Sequence, residues 1–373
     1  MAAPPHDRAL SEFPDDIMRE ILVRLPPDEP DRLLLAGAVC KPWLRILCDP
    51  TFRRHYMEFH RTPPVAGLLV GHWESTTFVP MTTLWAPRII DFDDTDTLDA
   101  RHGRVLLFSP RGLAVWDPVL GASWDIPSPF AGAHFDSWTA MVLCADPNCA
   151  HLDCHGANFL VVAVLGDTTA GVTSGRCFSP GSGLWTDLDS VDTGVLLNMK
   201  PAVLVERSLF FTTRSSMGRI VRYDFRAASV SLIHPPNFQL VLPTPSEFVL
   251  LPAATGGHLL LASMQQSTLD LWEKHVLQND SPWVRKNSIG IMSPGDGLYP
   301  GNAGPYIVGF GEGHYVVYFM AGSRLFSISL SSCRVTRVLG DPDLYSAIPY
   351  TSFHVTGVTR RLYIVITFYA LTC

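Results

Sequence analysis

Four side chains able to bind a soft metal stand within seven positions: Cys149, His151, Cys154 and His155, with Cys144 a little upstream. Thiolates and imidazoles are zinc ligands. The run Cys-Ala-His-Leu-Asp-Cys-His lacks the usual separation of ligand pairs, however, and four ligands so close would crowd a tetrahedral site. It reads as a loop inserted between strands, and no metal or cofactor is expected. Asp91, Asp93, Asp94, Asp96 and Asp99 follow the opening of a calcium loop. That loop needs Gly at its sixth position and Glu at its twelfth, where this chain has Asp96 and His102. A solvated acidic loop is the expectation. Gly309-Phe310-Gly311-Glu312-Gly313 has the glycine density of a phosphate loop, but the strand-like Tyr315 to Phe319 follows it. A phosphate loop must open a helix, so this is a hairpin turn. There is no Gly-x-Ser-x-Gly elbow and no spacing that picks out a catalytic triad. No catalytic residue is assigned, and the chain is expected not to be an enzyme.

The elements that would position any site fall into two unlike parts. The chain has 373 residues, enough for two domains or one large one. It is 47% hydrophobic and 17% charged, which supplies a core and argues against broad disorder. A net charge of −7 implies no general polyanion-binding surface, so nucleic acid is not an expected partner. The longest apolar run, Leu362 to Leu371, is too short for a membrane span. The first residues, MAAPPHDRAL, lack the apolar stretch of a secretory signal. A cytoplasmic or nuclear protein is expected, with its eight cysteines as thiols.

Residues 1–9 read as a disordered N-terminus. Residues 10–60 hold the helical signals. A first helix starts near Phe13, with Pro14 in its first turn and Asp15 and Asp16 where the helix dipole favours carboxylates. Ile17, Ile21 and Leu25 recur every fourth residue, and Met18 and Leu22 widen the stripe. Pro26-Pro27 ends it, because proline cannot donate the next backbone bond. A second helix opens at Pro30 and is very apolar from Leu33 to Val39, with Gly37 expected to break or kink it. A third carries Val39, Cys40, Trp43, Leu44 and Leu47 and stops at Asp49-Pro50. Three such helices bury little surface alone. Their apolar excess suggests that another chain covers part of it.

Phe13-Pro14-Asp15-Asp16-Ile17, Ile21-Leu22-Val23-Arg24-Leu25-Pro26-Pro27, Val39-Cys40-Lys41-Pro42-Trp43 and Asp49-Pro50-Thr51-Phe52 closely resemble, in order and spacing, the F-box. The second helix departs a little, since Asp28 to Asp31 is more acidic and proline-rich than the common pattern. It resembles the variant found in large F-box families of grasses, as does His60-Arg61-Thr62-Pro63-Pro64. The resemblance implies the substrate-receptor subunit of a Skp1–cullin–F-box (SCF) ubiquitin ligase, whose helices bury their apolar face on the Skp1 adaptor. Carried over by position, the Skp1 contacts are Pro14, Ile17, Ile21, Leu22, Leu25, Pro26, Leu33, Val39, Cys40 and Trp43. Trp43 could equally hold the helices together as a core residue.

Residues 61–64, Arg-Thr-Pro-Pro, form a stiff linker. From 65 to 373, short β-branched and aromatic runs alternate with turns, in units of very roughly 40–50 residues, the spacing of a propeller blade. An aromatic followed by a polar residue recurs at Trp116, Trp185, Tyr223 and Trp272. About six blades fit, seven at most, and the last strands could close the first blade. The body resembles the kelch-like β-propeller behind many plant F-boxes, although only Gly256-Gly257 has the double glycine of that repeat. A pair of β-sandwiches is the alternative. The fold class is thus α+β: a small all-α unit, then an all-β propeller that would recognise the target. Trp73, Trp85, Trp138 and Trp283 are target-binding candidates in or beside loops, with blade packing as the plainer reading. The rival function is a propeller enzyme or small-molecule sensor capped by the helices. Copper oxidases share the kelch-type fold, but they are secreted, and no Tyr and His ligands are marked out here.

Overall fold

The computed structural model describes residues 14–353 apart from 73–74, 82–93, 215–218, 225–228, 237–247, 254–255, 266–267, 279–280, 292–304, 341–342 and the positions 133, 147, 189, 191, 193–194, 199 and 312. Among the described residues, four helices come first: α1 (Asp15–Val23), α2 (Pro30–Val39), α3 (Lys41–Leu47) and α4 (Pro50–His60). The prolines at 30, 42 and 50 each sit in the first turn of a helix, where the missing N–H has no partner to lose. Asp49 caps α4 by accepting a hydrogen bond from the Thr51 N–H at 2.9 Å.

Two sequence expectations fail in this region. Gly37 does not interrupt α2; the break falls at Cys40, whose extended backbone (φ −159°, ψ 158°) separates α2 from α3. The region also has a fourth helix, because Pro50 opens α4 as well as ending α3. Phe52, Tyr56 and Met57 of α4 then pack with Met18, Leu22, Leu33, Ile46 and Leu47 in one cluster.

Among the described residues, twenty-three strands follow in six sheets. Blade 1 is β1 (Val65–His72) and β2 (Ser75–Pro80) joined by β23 (Ser346–Thr351). Blade 2 is β3 (Asp96–Arg101), β4 (Arg104–Ser109), β5 (Gly112–Asp117) and β6 (Ala122–Ile126). Blade 3 is β7 (Ser137–Cys144), β8 (Phe159–Asp167), β9 (Val172–Ser179) and β10 (Leu184–Asp187). Blade 4 is β11 (Val203–Val205), β12 (Ser208–Thr212), β13 (Ile220–Asp224) and β14 (Ser229–Ile233). Blade 5 is β15 (Phe248–Pro252), β16 (His258–Gln265), β17 (Thr268–His275) and β18 (Val284–Gly290). Blade 6 is β19 (Tyr306–Gly311), β20 (Val316–Ala321), β21 (Arg324–Ser329) and β22 (Val335–Gly340). All pairings are antiparallel meanders except the closure, where β23 pairs with β1 through Leu69 opposite Ile348. That strand ties the end of the described chain to the first blade, so that among the described residues the ring closes.

Strand composition follows position in the blade. The middle strands are sandwiched between neighbours and are apolar on both faces. In β8, Val161, Ala163 and Leu165 pack toward blade 2, whereas Val162 and Val164 pack toward blade 4. In β1, Leu69 joins the cluster with blade 2, while Leu68 and Val70 join the one with blade 6. Outer strands such as β14 and β22 are largely exposed and polar. Six apolar clusters, one at each blade junction, complete the ring.

The inner strands crowd the axis. A Cβ on Gly309 of β19 would fall on the carbonyl oxygen of Ala347 in β23. Gly309→Ala is therefore expected to lower stability by about 1–3 kcal/mol, the usual penalty of overpacking, read by urea denaturation.

Candidate functional site

The helical unit is apolar on two sides. Met18, Leu22 and Val23 of α1 and Leu33 and Ala36 of α2 are buried inward. Ile17 and Ile21, stacked four apart on α1, remain 46% and 48% exposed, and Leu35 and Val39, stacked four apart on α2, remain 67% and 50% exposed. Among the described residues, none buries those four side chains.

The ten expected contacts therefore divide. Pro14, Ile17, Ile21 and Val39 are exposed. Leu25, Pro26, Cys40 and Trp43 are half-buried, with Leu25 and Trp43 packed on the helical cluster. Leu22 and Leu33 are buried and hold the helices together, so their assignment to a partner is corrected here. The stripe that widens α1 proved to be its inward face. Leu35 was missed, although its spacing from Val39 was in plain view.

The unit is braced on the propeller. Phe353, just beyond β23, is buried in the helical cluster with its ring 6.3 Å from that of Tyr56. Tyr56 donates its hydroxyl to the Leu25 carbonyl at 2.8 Å, and burial, then the charge of Asp28, push its pKa up. Past α4, the Pro63 carbonyl lies 2.6 Å from His314 Nε2, and the Pro64 carbonyl accepts the Ser352 N–H.

The loop between β7 and β8 makes the other contact. Leu152 packs on the helical cluster, and Asp153 pairs with Arg53 of α4 at 2.8 Å. His155 lies between Asp153 (3.4 Å) and Asp117 (3.1 Å). Burial alone would lower the His155 pKa, but the two carboxylates outweigh it and raise it to about 9. The pKa of buried Asp117 is raised by desolvation but lowered more by His155 and by the N–H groups of Gly156 and Leu120, so it stays below the usual carboxylate range. Arg104, also buried, donates to the carbonyls of His155, Gly156 and Asn158 at 3.0–3.2 Å.

Cys144, Cys149, His151 and Cys154 bring their donor atoms within 4.8 Å of one another. His155 belongs to the ion pairs instead. The crowding expected from sequence does not arise, because Cys144 comes from the end of β7 and the loop folds back at His151, whose φ is 57°. Burial and the two other thiols raise the pKa of Cys154. Loop and linker meet at a cavity of about 520 Å³ along the propeller axis, lined by inner strands β3, β15, β19 and β23. The acidic stretch is corrected too: Asp96 and Asp99 belong to β3, and Asp99 is buried and accepts the Val142 N–H at 3.1 Å. Asp91 and Asp93 lie outside the described residues. The glycine run does form a hairpin, joining β19 to β20.

The tryptophan candidates are not loop-tip anchors where the structure describes them. Trp138 is buried against Phe108 and Phe130 between blades 2 and 3. Trp283 donates its indole N–H to the His234 carbonyl at 2.8 Å, as Trp185 does to Pro127 at 2.7 Å, so each straps one blade to the preceding one. Trp73 and Trp85 lie outside the described residues.

Two observations now stand together: a short helical unit with an uncovered apolar side, and a six-bladed ring behind it. Residues 10–55 match the F-box domain. The F-box helices and the propeller are thus the two unequal parts of the described chain. No curated protein sequence matches it. Among solved structures, it is similar to TolB from Acinetobacter baumannii at 12% identity and TM-score 0.46, over 80% of this chain and 70% of that one. It is also similar to a protein of unknown function from Desulfotomaculum acetoxidans at 15% identity and TM-score 0.39, over 75% and 83% of the two chains. A chain of the mitotic checkpoint complex gives 14% identity and TM-score 0.35, over 66% and 62%. Likenesses this distant carry no functional argument. No helix among the described residues is long and apolar enough to cross a membrane.

Proposed function

We propose that this chain is the substrate receptor of an SCF ubiquitin ligase, a non-catalytic adaptor working in the cytoplasm or nucleus. Residues 10–60 would serve as the F-box, 61–64 as the linker and 65–373 as the receptor for the target protein. The F-box would dock on a Skp1-type adaptor and, through it, on cullin. The observation that carries the reading is the double-sided F-box: its inward stripe is fully packed while Ile17, Ile21, Leu35 and Val39 stay in water. A helix that has already buried one apolar side keeps a second only at a cost in solubility, and a partner groove removes that cost. The rigid ring supports the other half of the reading, since it holds a bound protein at a set distance from the docking helices.

Co-expression of the full chain with a Skp1-type adaptor tests this. A one-to-one complex in gel filtration is expected. A chain that stays alone beside folded adaptor contradicts the proposal.

A further inference from the structure

We infer that Cys144, Cys149, His151 and Cys154 hold a zinc ion, and that the metal-bound loop fixes the F-box helices on the propeller. The donor set comes first. Three thiolates and one imidazole form a Cys3His set, which suits a four-coordinate structural zinc site and not the oxygen-seeking calcium or magnesium. Zinc–ligand bonds of about 2.0–2.3 Å place donor atoms roughly 3.3–3.8 Å apart on a tetrahedron. Here Cys149 Sγ lies 3.2 Å from Cys154 Sγ, Cys154 Sγ lies 3.6 Å from His151 Nδ1, and all four donors fall within 4.8 Å. Small side-chain rotations close that set around one ion.

The surroundings are those of a ligand shell. The His151 ring stacks on His102 with centroids 3.9 Å apart and planes 9° from parallel, which sets its orientation. The backbone N–H of His151 donates to Cys149 Sγ at 3.4 Å, a bond that steadies a metal-bound thiolate. The left-handed backbone of His151 is unfavourable for a non-glycine residue and needs something to hold it.

The loop also needs a staple. Between β7 and β8 its described residues form neither helix nor strand, and Leu152 is spent on the F-box cluster. Arg104 and Asp117 hold its end at residues 155–158, and a metal would hold the stretch before it. Leu152 and Asp153 lie between ligands His151 and Cys154, and these two residues touch the F-box core and Arg53. Fixing the ligands fixes that contact.

The test uses the full chain, carrying a tag without histidine and purified without chelator. Elemental analysis is expected to find one zinc per chain. Cobalt(II) added to the metal-stripped chain should give thiolate-to-cobalt charge-transfer bands and tetrahedral ligand-field bands. Cys149→Ser combined with Cys154→Ser should abolish both signals. Hydrogen exchange after metal removal should speed at least tenfold in residues 145–158 and in α4, with the strands of blades 4 and 5 unchanged. A wild-type chain with no stoichiometric metal and no cobalt–thiolate band overturns the site, with no need for the variant to fold. A Cys149–Cys154 disulfide in the native chain, or full metal retention in the double variant, overturns it as well. Metal binding with unchanged exchange in α4 overturns the bracing role.

Discussion

Ile17→Asp combined with Ile21→Asp is expected to weaken binding of a Skp1-type adaptor more than 100-fold while leaving the fold intact. Both side chains are about half exposed and, among the described residues, belong to no apolar cluster, so the substitutions remove little internal packing. Burying an isoleucine against a partner is worth about 1.5–3 kcal/mol. Two carboxylates forced into an apolar groove add a desolvation penalty on top. A loss of about 3 kcal/mol or more corresponds to that hundredfold change. Calorimetric titration of adaptor into each form measures it, with the urea midpoint as the control for folding. Leu22→Asp should behave oppositely. It places a charge inside the helical cluster, so the F-box itself should unfold. Binding that survives the double substitution would exclude these residues from the interface.

The second large effect concerns Asp117, at the end of β5. Its carboxylate is fully buried and accepts from the N–H groups of Val119, Leu120 and Gly156 and pairs with His155. Through His155 and Asp153 it continues to Arg53 of α4. A line of alternating charge thus runs from blade 2 through the loop to the F-box. Asp117→Ala leaves the half-buried His155 imidazolium with Asp153 alone and three amides without this acceptor. Breaking a buried pair from one side costs about 3–5 kcal/mol. Urea denaturation should show that loss. Asp117→Asn, which keeps the shape and one acceptor oxygen, should lose clearly less. Equal stability of wild type and Asp117→Ala would mean that this line of charge is not part of what holds the loop.

Much of this arrangement was legible before any coordinates. The first helix was readable because prolines mark both its ends and its apolar residues recur every fourth position. What periodicity could not say was which of two adjacent stripes faces inward; that depends on α4, whose buried Phe52, Tyr56 and Met57 are hidden among arginines and histidines. The blades were readable from their middle strands, which are apolar on both faces. Of the inner strands, β7, β15 and β19 were readable as apolar runs, but β3, β11 and β23 were not. β3 carries Asp96 and Asp99 because it lines the axis, and aspartates in a run look like a loop. Ala202 to Thr212 reads as one strand, yet it is β11 and β12, turned at Glu206, whose φ is 55°. The closing strand β23 was masked by Pro349 in its middle. Three of the four recurrent aromatics, Trp116, Tyr223 and Trp272, fall on the third strand of a blade, while Trp185 falls on the fourth. The pattern reported blade packing, not a binding face. The cysteine cluster was not legible as one group, because spacing along the loop says nothing of Cys144, which reaches it from the end of β7.

The central claim is that the outward apolar side of the F-box belongs to another chain. Carbene footprinting of the full chain, with and without a Skp1-type adaptor, tests it most directly, because the label marks exposed side chains whatever their chemistry. Labelling at Ile17, Ile21, Leu35 and Val39 is expected to fall sharply on adding adaptor, while the equally exposed Leu120 and Leu184 on the propeller stay as reactive as before. Unchanged labelling of all four F-box residues in a formed complex, or protection confined to the propeller, would contradict the account.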